Sequence, residues 1–379
     1  MPGLGSVIVI GLGAMGSAAT YHLAKRGYRV IGLDQFDVPH DRGSSHGITR
    51  IIRLAYFEHP SYVPLLMRAY ELWRELQTDI GSQLLWITGS LDIGEVFENS
   101  LRSCELHTLP HEVLTSTEIG RRFPGYELPS DLMGLFQPEG GFLVPEACIS
   151  AHLMLAGSLG AELHGREPVL GWEESQEGVR VRTRRCSYEA DFLVVTAGAW
   201  IGKLVPALAG ITTPERQVLA WLQPKKPALF QRSSFPVFNL RVDEGHFYGF
   251  PEFGVPGFKF GCYHHRRETV DPDTMTREAD SEDERLLRDF ATRYFPAGSG
   301  PTLALHTCLF TNTPDEHFIL DFCPGSPRVF LGSPCSGHGF KFSSVVGEII
   351  ADLVELGESR LDISMHRLER LRRKEKQNL

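Results

Sequence analysis

Three stretches of this chain combine residue types at spacings that serve chemistry. The first is Gly11-Leu12-Gly13-Ala14-Met15-Gly16. Gly11 suits a tight turn, Gly13 lets backbone approach a pyrophosphate, and Gly16 lets a helix pack closely on a strand. The pyrophosphate then rests on the positive end of that helix. Asp34, 18 residues beyond Gly16, ends a second apolar run, where a carboxylate accepts hydrogen bonds from a ribose diol. A ligand-free glycine turn is the bland alternative, and the flanking strand-like and helix-like runs argue against it. The motif itself does not separate FAD from NAD.

The second stretch, Ser333 to Lys341, reads Ser-Pro-Cys-Ser-Gly-His-Gly-Phe-Lys. It is another glycine-rich loop opening a helix, with free backbone N–H groups and a lysine. It suits the pyrimidine edge of a flavin, or its glycines simply satisfy turn geometry. The third is Gly43 to Arg53, with Arg50 and Arg53 in an otherwise apolar run. An inward Arg53 needs an anion, either a substrate carboxylate or one of the chain's 47 acids. Lys259 and Cys262-Tyr263-His264-His265 form the one candidate metal cluster. Alternation on a strand would send the two histidines to opposite faces, so no metal site is expected.

The elements that must position these groups follow from pattern. Val7–Ile10 is a continuous apolar run, as in a parallel strand buried on both faces. An Ala-rich helix follows and stops at Gly27, and Val30–Leu33 is the next strand. Residues 36–59 read as loop, 61–77 as an amphipathic helix and 146–160 as another helix. Alternating runs around Val179–Val181 predict a small antiparallel meander, and 192–198 a buried strand ending in a turn. From 215 to 310 prolines, aromatics and short strands dominate, with a capping box at Ser281–Glu284 opening one helix. Val329–Leu331 then returns to the first style, and a helix runs from 342 to 356 with Gly357 as its stop. The basic segment Arg367–Lys376 reads as a solvated tail.

At 379 residues, two domains are expected from a norm of about 100–200 residues each. The nucleotide domain is discontinuous, with a second domain inserted into it. A net charge of −9 offers no excess of cations to neutralise phosphates, so nucleic acid and anionic membrane are not expected partners. No apolar run reaches the ~20 residues that span a bilayer, and no secretory leader is read at the N-terminus, so a cytoplasmic protein is expected. Seven widely spaced cysteines without a C-x-x-C are expected to be reduced thiols, mostly buried.

Taken in order along the whole chain, these segments resemble the monomeric sarcosine oxidase and N-methyltryptophan oxidase family of flavoproteins. The resemblance rests on the glycine motif, on Arg42–Gly47 with Thr49–Arg53, on Tyr248-Gly249-Phe250-Pro251, on Cys308–Asp321 and on Ser336–Lys341. It implies an α/β fold: a Rossmann-type FAD-binding domain (1–85, 145–215 and 318–379) and an inserted α+β substrate domain (86–144 and 216–317) on a mostly antiparallel sheet. It implies FAD bound covalently through the Cys308 sulfur to the flavin 8α carbon. Arg53 and Lys341 match the pair that grips a substrate carboxylate. Gly11, Gly13, Gly16, Asp34, Ser45, His46, Thr49, Arg50, Gly337, His338, Gly339 and Lys341 match flavin-binding positions. Tyr248 and His264 match residues lining the substrate cavity, although the spacing from Lys259 is one residue longer than in typical sarcosine oxidases and leaves His265 as a competitor. Lys259 matches the lysine that promotes reaction with oxygen, and Arg50 joins it as a catalytic residue. Cys335 departs from the family, which more often carries a phenylalanine-like residue there.

The implied reaction is oxidative demethylation of sarcosine or a related N-methyl amino acid by a monomer, with O2 and water giving the amino acid, formaldehyde and hydrogen peroxide. N-methyltryptophan and cyclic amino acids such as pipecolate or proline are alternative substrates. A nicotinamide-dependent dehydrogenase is the alternative from a different class.

Overall fold

The apolar run at the N-terminus forms the strand Ser6–Ile10, every residue of it buried. In the computed structural model, which describes residues 4–371, this strand lies inside a six-stranded sheet. Arg29–Leu33 and Phe192–Val195 flank it, both parallel to it. Glu162–His164 closes one edge, and Ser326–Ser333 followed by the antiparallel Ile319–Cys323 closes the other. Alternation divides the sheet between two layers. Val7, Val9 and Val30 pack against the helices Ala14–Lys25, Val63–Ile80, Pro145–Ser158 and Ser343–Leu356. Ile8, Ile10, Ile31 and Leu33 face a three-stranded antiparallel meander, Val169–Glu174, Val179–Thr183 and Ser187–Ala190. Two of the helices touch at backbone distance, because a Cβ on Gly347 would sit 2.5 Å from the carbonyl carbon of Ala18.

A second sheet has eight strands. In spatial order they are Thr302–Asn312, Thr213–Leu222, Phe258–Cys262, Gly245–Phe250, Val237–Val242, Ser90–Gly94, Met133–Gln137 and Glu112–Thr115. All neighbours are antiparallel except Val237–Val242 beside Ser90–Gly94. One face is packed with Phe235, Phe238, Phe258, Phe260, Phe290 and Phe295, under the helix Ser281–Tyr294.

Three local expectations are corrected. The last helix named is capped by Asp280, not Ser281: its carboxylate accepts from the Asp283 N–H, and Asp283 reciprocates. The helix expected over 61–77 runs from Val63 to Ile80, because Pro60–Tyr62 forms a 3-10 turn before it. The basic segment is not a free tail where it is described. Arg367 pairs with Asp321 at 2.9 Å and Arg370 with Asp315 at 3.0 Å, while Leu368 and Leu371 are buried. Residues 372–376 lie outside the described residues.

Among the described residues the seven cysteines are free thiols, five of them buried. No helix there is long and apolar enough to cross a membrane. No group of three or more metal-ligating side chains comes together among them.

Candidate active site

Gly11 takes φ +87°, and a Cβ on it would lie 2.6 Å from the Thr196 carbonyl oxygen. A Cβ on Gly16 would lie 1.8 Å from the Gly11 carbonyl oxygen. These two positions therefore hold the turn and the helix Ala14–Lys25 against the sheet. Gly13 is different: its nearest neighbour would be Ser45 Oγ at 3.8 Å, so its open side faces a cavity. It is the helix N-cap and no side chain caps it. The free N–H groups of the first turn, with Ala14 N donating only weakly to Ser45 Oγ at 3.4 Å, make an anion cradle. Asp34 lines the same cavity and accepts from the Leu12 and Phe36 N–H groups at 2.8 and 2.9 Å. Burial pushes its carboxyl above the usual range, although both N–H bonds oppose that.

The cavity runs on from this cradle to the other glycine-rich loop. Cys308, on the strand Thr302–Asn312, lines it, with Arg50 Nη2 at 3.6 Å from its sulfur. The same Nη2 donates to the Ser44 carbonyl at 2.9 Å. Gly337, at φ +81°, passes so close to Phe310 that a Cβ would sit 2.6 Å from the ring, and a Cβ on Gly339 would sit 1.6 Å from the Pro334 carbonyl oxygen. That compact turn buries His338 between the Tyr56 hydroxyl at 2.6 Å and the Glu316 carbonyl at 3.0 Å. Burial, opposed by the nearby Glu58 and reinforced by the Lys341 charge, leaves the imidazole at about 4, against 6.5. Lys341 lines the cavity and donates to the His338 carbonyl at 2.7 Å. Burial and the Arg53 charge lower its ammonium to about 7.

Besides Gly16, packed under the turn, the sequence candidates His46, Thr49, Arg53, Lys259 and His264 stand behind the cavity wall rather than on it. Arg53 is 1% exposed, packed against the Tyr56 and Phe57 rings. It donates to both Glu58 oxygens at 3.1 and 2.9 Å and lies 3.7 Å from Asp92, so its anions here are the chain's own. Lys259 Nζ donates to the Gly47 and Thr49 carbonyls at 2.6 and 2.7 Å and to Thr49 Oγ1 at 2.9 Å. Burial holds its ammonium well below the usual lysine value. His46 is buried, its Nε2 lacks a partner, and burial lowers it to about 3.

His264 does not line the cavity. The strand ends at Cys262, and His264 takes a left-handed backbone, φ 54°. Its Nδ1 meets Glu215 at 3.0 Å and its Nε2 meets Glu316 at 3.2 Å. These carboxylates raise its imidazole to about 9. His265 is fully buried against Asp283 at 2.8 Å. Tyr263 lines the cavity instead. Alternation would have found it: Phe258, Phe260 and Cys262 enter the phenylalanine core, which leaves Lys259, Gly261 and Tyr263 for the other face. Tyr56, Glu58 and Phe250 were also missed.

A family model described as FAD dependent oxidoreductase matches residues 6–353. The chain belongs to that family. Membership selects flavin over nicotinamide, which the glycine motif alone did not. Among its relatives are a monomeric sarcosine oxidase of Streptomyces avermitilis, 41% identical over 96% of this chain and 97% of that protein. An N-methyl-L-tryptophan oxidase of Yersinia pestis is 35% identical over 97% of this chain and 99% of its own length. Among solved structures, NikD, an unusual amino acid oxidase essential for nikkomycin biosynthesis, matches with TM-score 0.84 at 25% identity over 96% of this chain and 97% of that one. An L-proline dehydrogenase from P. horikoshii shares the fold, with TM-score 0.85 at 22% identity over 99% of each chain. The residues fit FAD: an uncapped helix N-terminus for the pyrophosphate, Asp34 at the strand end, and a second loop whose glycines admit no side chain.

Proposed function

We propose that this family member oxidises a secondary α-amino acid, sarcosine or a related N-methyl amino acid, with FAD carried on the Cys308 sulfur. The carrying observation is a single cavity that joins the pyrophosphate cradle at Gly13 to Cys308 and to the buried cation Lys341. The relatives named as sarcosine oxidases match nearly the whole chain and support the same reading. In the proposed reaction sarcosine, O2 and water give glycine, formaldehyde and hydrogen peroxide.

Bound FAD would supply the two-electron acceptor for the C–H bond beside nitrogen. The chain's own residues do the rest. Lys341 and the guanidinium of Arg53 supply positive charge for the substrate carboxylate, which fixes the orientation of the amine. For Arg53 to take part, Glu58 must share or yield its two hydrogen bonds. Arg50 holds the segment around Ser44 and Thr49 beside the Cys308 sulfur. Lys259, its position fixed by Gly47 and Thr49, would become the stabilising cation as negative charge develops on oxygen, because that charge favours the protonated amine which burial alone disfavours. The proposal includes a monomer, and assigns FAD binding to 1–85, 145–215 and 318–379 and the substrate to 86–144 and 216–317.

The test is to denature the yellow holoprotein in acid. Colour that precipitates with the polypeptide, and is released in Cys308→Ala, supports the covalent link. Release from the wild type refutes it. Peroxide formed with sarcosine, N-methyltryptophan, pipecolate and proline then ranks the substrates. No turnover with any of the four overturns the secondary-amino-acid reading.

A further inference from the structure

Tyr263 and Tyr248 both line the cavity, with their rings 5.0 Å apart at 70°. No hydrogen bond from either hydroxyl to another described residue is seen, and both side chains are only partly buried, so each oxygen is open to a ligand in the cavity. Space has been kept for one of them: a Cβ on Gly261 would sit 2.8 Å from the Tyr248 oxygen.

The two rings occupy different parts of the wall. Tyr248 packs against the cluster of Leu219, Trp221 and Cys308, at the end where the flavin would be attached. Tyr263 leads toward the carboxylate end. Its ring stacks on His246 at 4.2 Å and 9°, His246 meets Phe57 at 5.2 Å, and Phe57 lies under the Arg53 guanidinium at 4.1 Å. A rigid aromatic wall therefore connects the cation proposed to grip the carboxylate to the residues beside Cys308. In an α-amino acid the nitrogen is two bonds from the carboxyl carbon, so a ligand held by its carboxylate would carry its nitrogen near the Tyr263 end of that wall.

We propose that Tyr263 is the positioning and specificity residue for the substrate nitrogen, its hydroxyl making the hydrogen bond that distinguishes an amine from an isosteric group without one. The proposal rests on the secondary-amino-acid reading above and refines it. The preferred ligands are amino acids whose nitrogen bears a small alkyl group, because the stacked His246 leaves the Tyr263 ring no room to swing aside for a bulky one. Burial raises both phenols far above their ordinary values, so neither ionises at working pH. The contact thus stays a neutral hydrogen bond at every pH where the protein functions, unlike one made by an imidazole.

The experiment compares wild type with Tyr263→Phe, which keeps the ring and its stack and removes only the oxygen. Two probes share a carboxylate: sarcosine, followed by anaerobic reduction of the bound flavin, and (methylthio)acetate, a thioether in place of the amine, followed by the flavin absorbance change. The expected result is an apparent Kd for sarcosine raised about tenfold and one for the thioether changed less than about twofold. Flavin content serves as the folding control. Equal weakening of both probes makes Tyr263 a wall residue only, and no change in either removes it from the site; each overturns the proposal. Should Tyr263→Phe lose its flavin, the wild-type ratio of sarcosine to N-ethylglycine to N-benzylglycine decides instead. A steep fall supports the fixed ring and an even profile overturns it. Failure of the underlying reading is separate, since the wild type then reduces its flavin with none of these amines.

Discussion

The Lys341 ammonium sets how tightly a carboxylate is held, and its surroundings make that grip depend on pH near neutrality. Nζ spends one donor on the His338 carbonyl at 2.7 Å, which leaves two for a ligand. Burial is the main influence on it and Arg53 the second, and together they bring it to about 7 from 10.5. Above pH 7 the free protein therefore holds a neutral amine where the ligand needs a cation. A bound carboxylate favours the charged form, so each ligand binding event takes up a proton, and affinity falls by up to tenfold per pH unit. (Methylthio)acetate is a clean probe because it carries no amine to titrate in this range. Its Kd, read from flavin absorbance, is expected to be level between pH 5.5 and 6.5 and to weaken by about 30- to 100-fold by pH 9. Lys341→Arg keeps its charge throughout and is expected to remove the slope. A wild-type Kd that is flat to pH 9, or a slope that survives in Lys341→Arg, would refute the reasoning.

Two further outcomes follow from the geometry. His264, raised from 6.5 to about 9 by Glu215 and Glu316, stabilises the fold fully below pH 6.5 and loses that contribution as pH rises through 9. Glu316 is 62% exposed, so screening reduces the effect to about 1 kcal/mol. The melting temperature of wild type over His264→Gln is expected to be about 2 °C higher at pH 6 and equal by pH 10, and a constant difference counts against it. Gly16→Ala would push a methyl to within 1.8 Å of the Gly11 carbonyl, and the cradle must open to admit it. Flavin content below about a tenth of wild type is expected, and full occupancy by absorbance would show that the turn does not need glycine there.

Features set by local backbone geometry were legible in the sequence. Val7–Ile10, the glycines after it and Asp34 lie within one supersecondary unit, and each residue's role follows from its immediate neighbours. The glycine-rich loop at 337–339 was readable for the same reason. What the sequence concealed was set by contacts between distant segments. Arg53 plainly needed an anion, and one partner, Glu58, lies only five residues on, but the loop that turns Glu58 back onto it has no periodicity to read, and its second anion, Asp92, sits on a strand of the other sheet 39 residues away. The exchange of His264 for Tyr263 has another origin. Alternation separated only the two histidines, and continued back to the strand it would have selected Tyr263; the resemblance suggested a histidine, and the left-handed backbone at His264 turns that side chain away to its two glutamates. The cap at Asp280 rather than Ser281 shows the one-residue ambiguity of neighbouring residues that both cap well.

The close approach of Gly347 to Ala18 also bears on how the chain is made. A ribosome delivers the cradle helix first and its covering helix more than 300 residues later, and the sheet's Ser326–Ser333 strand comes late as well. Until then one apolar flank of the nascent N-terminal unit stays wet, and Lys341 and its loop have not yet been synthesised. The order of synthesis therefore predicts that the flavin cavity is complete only once nearly the whole chain has been made, and that the uncovered flank is an aggregation hazard until then.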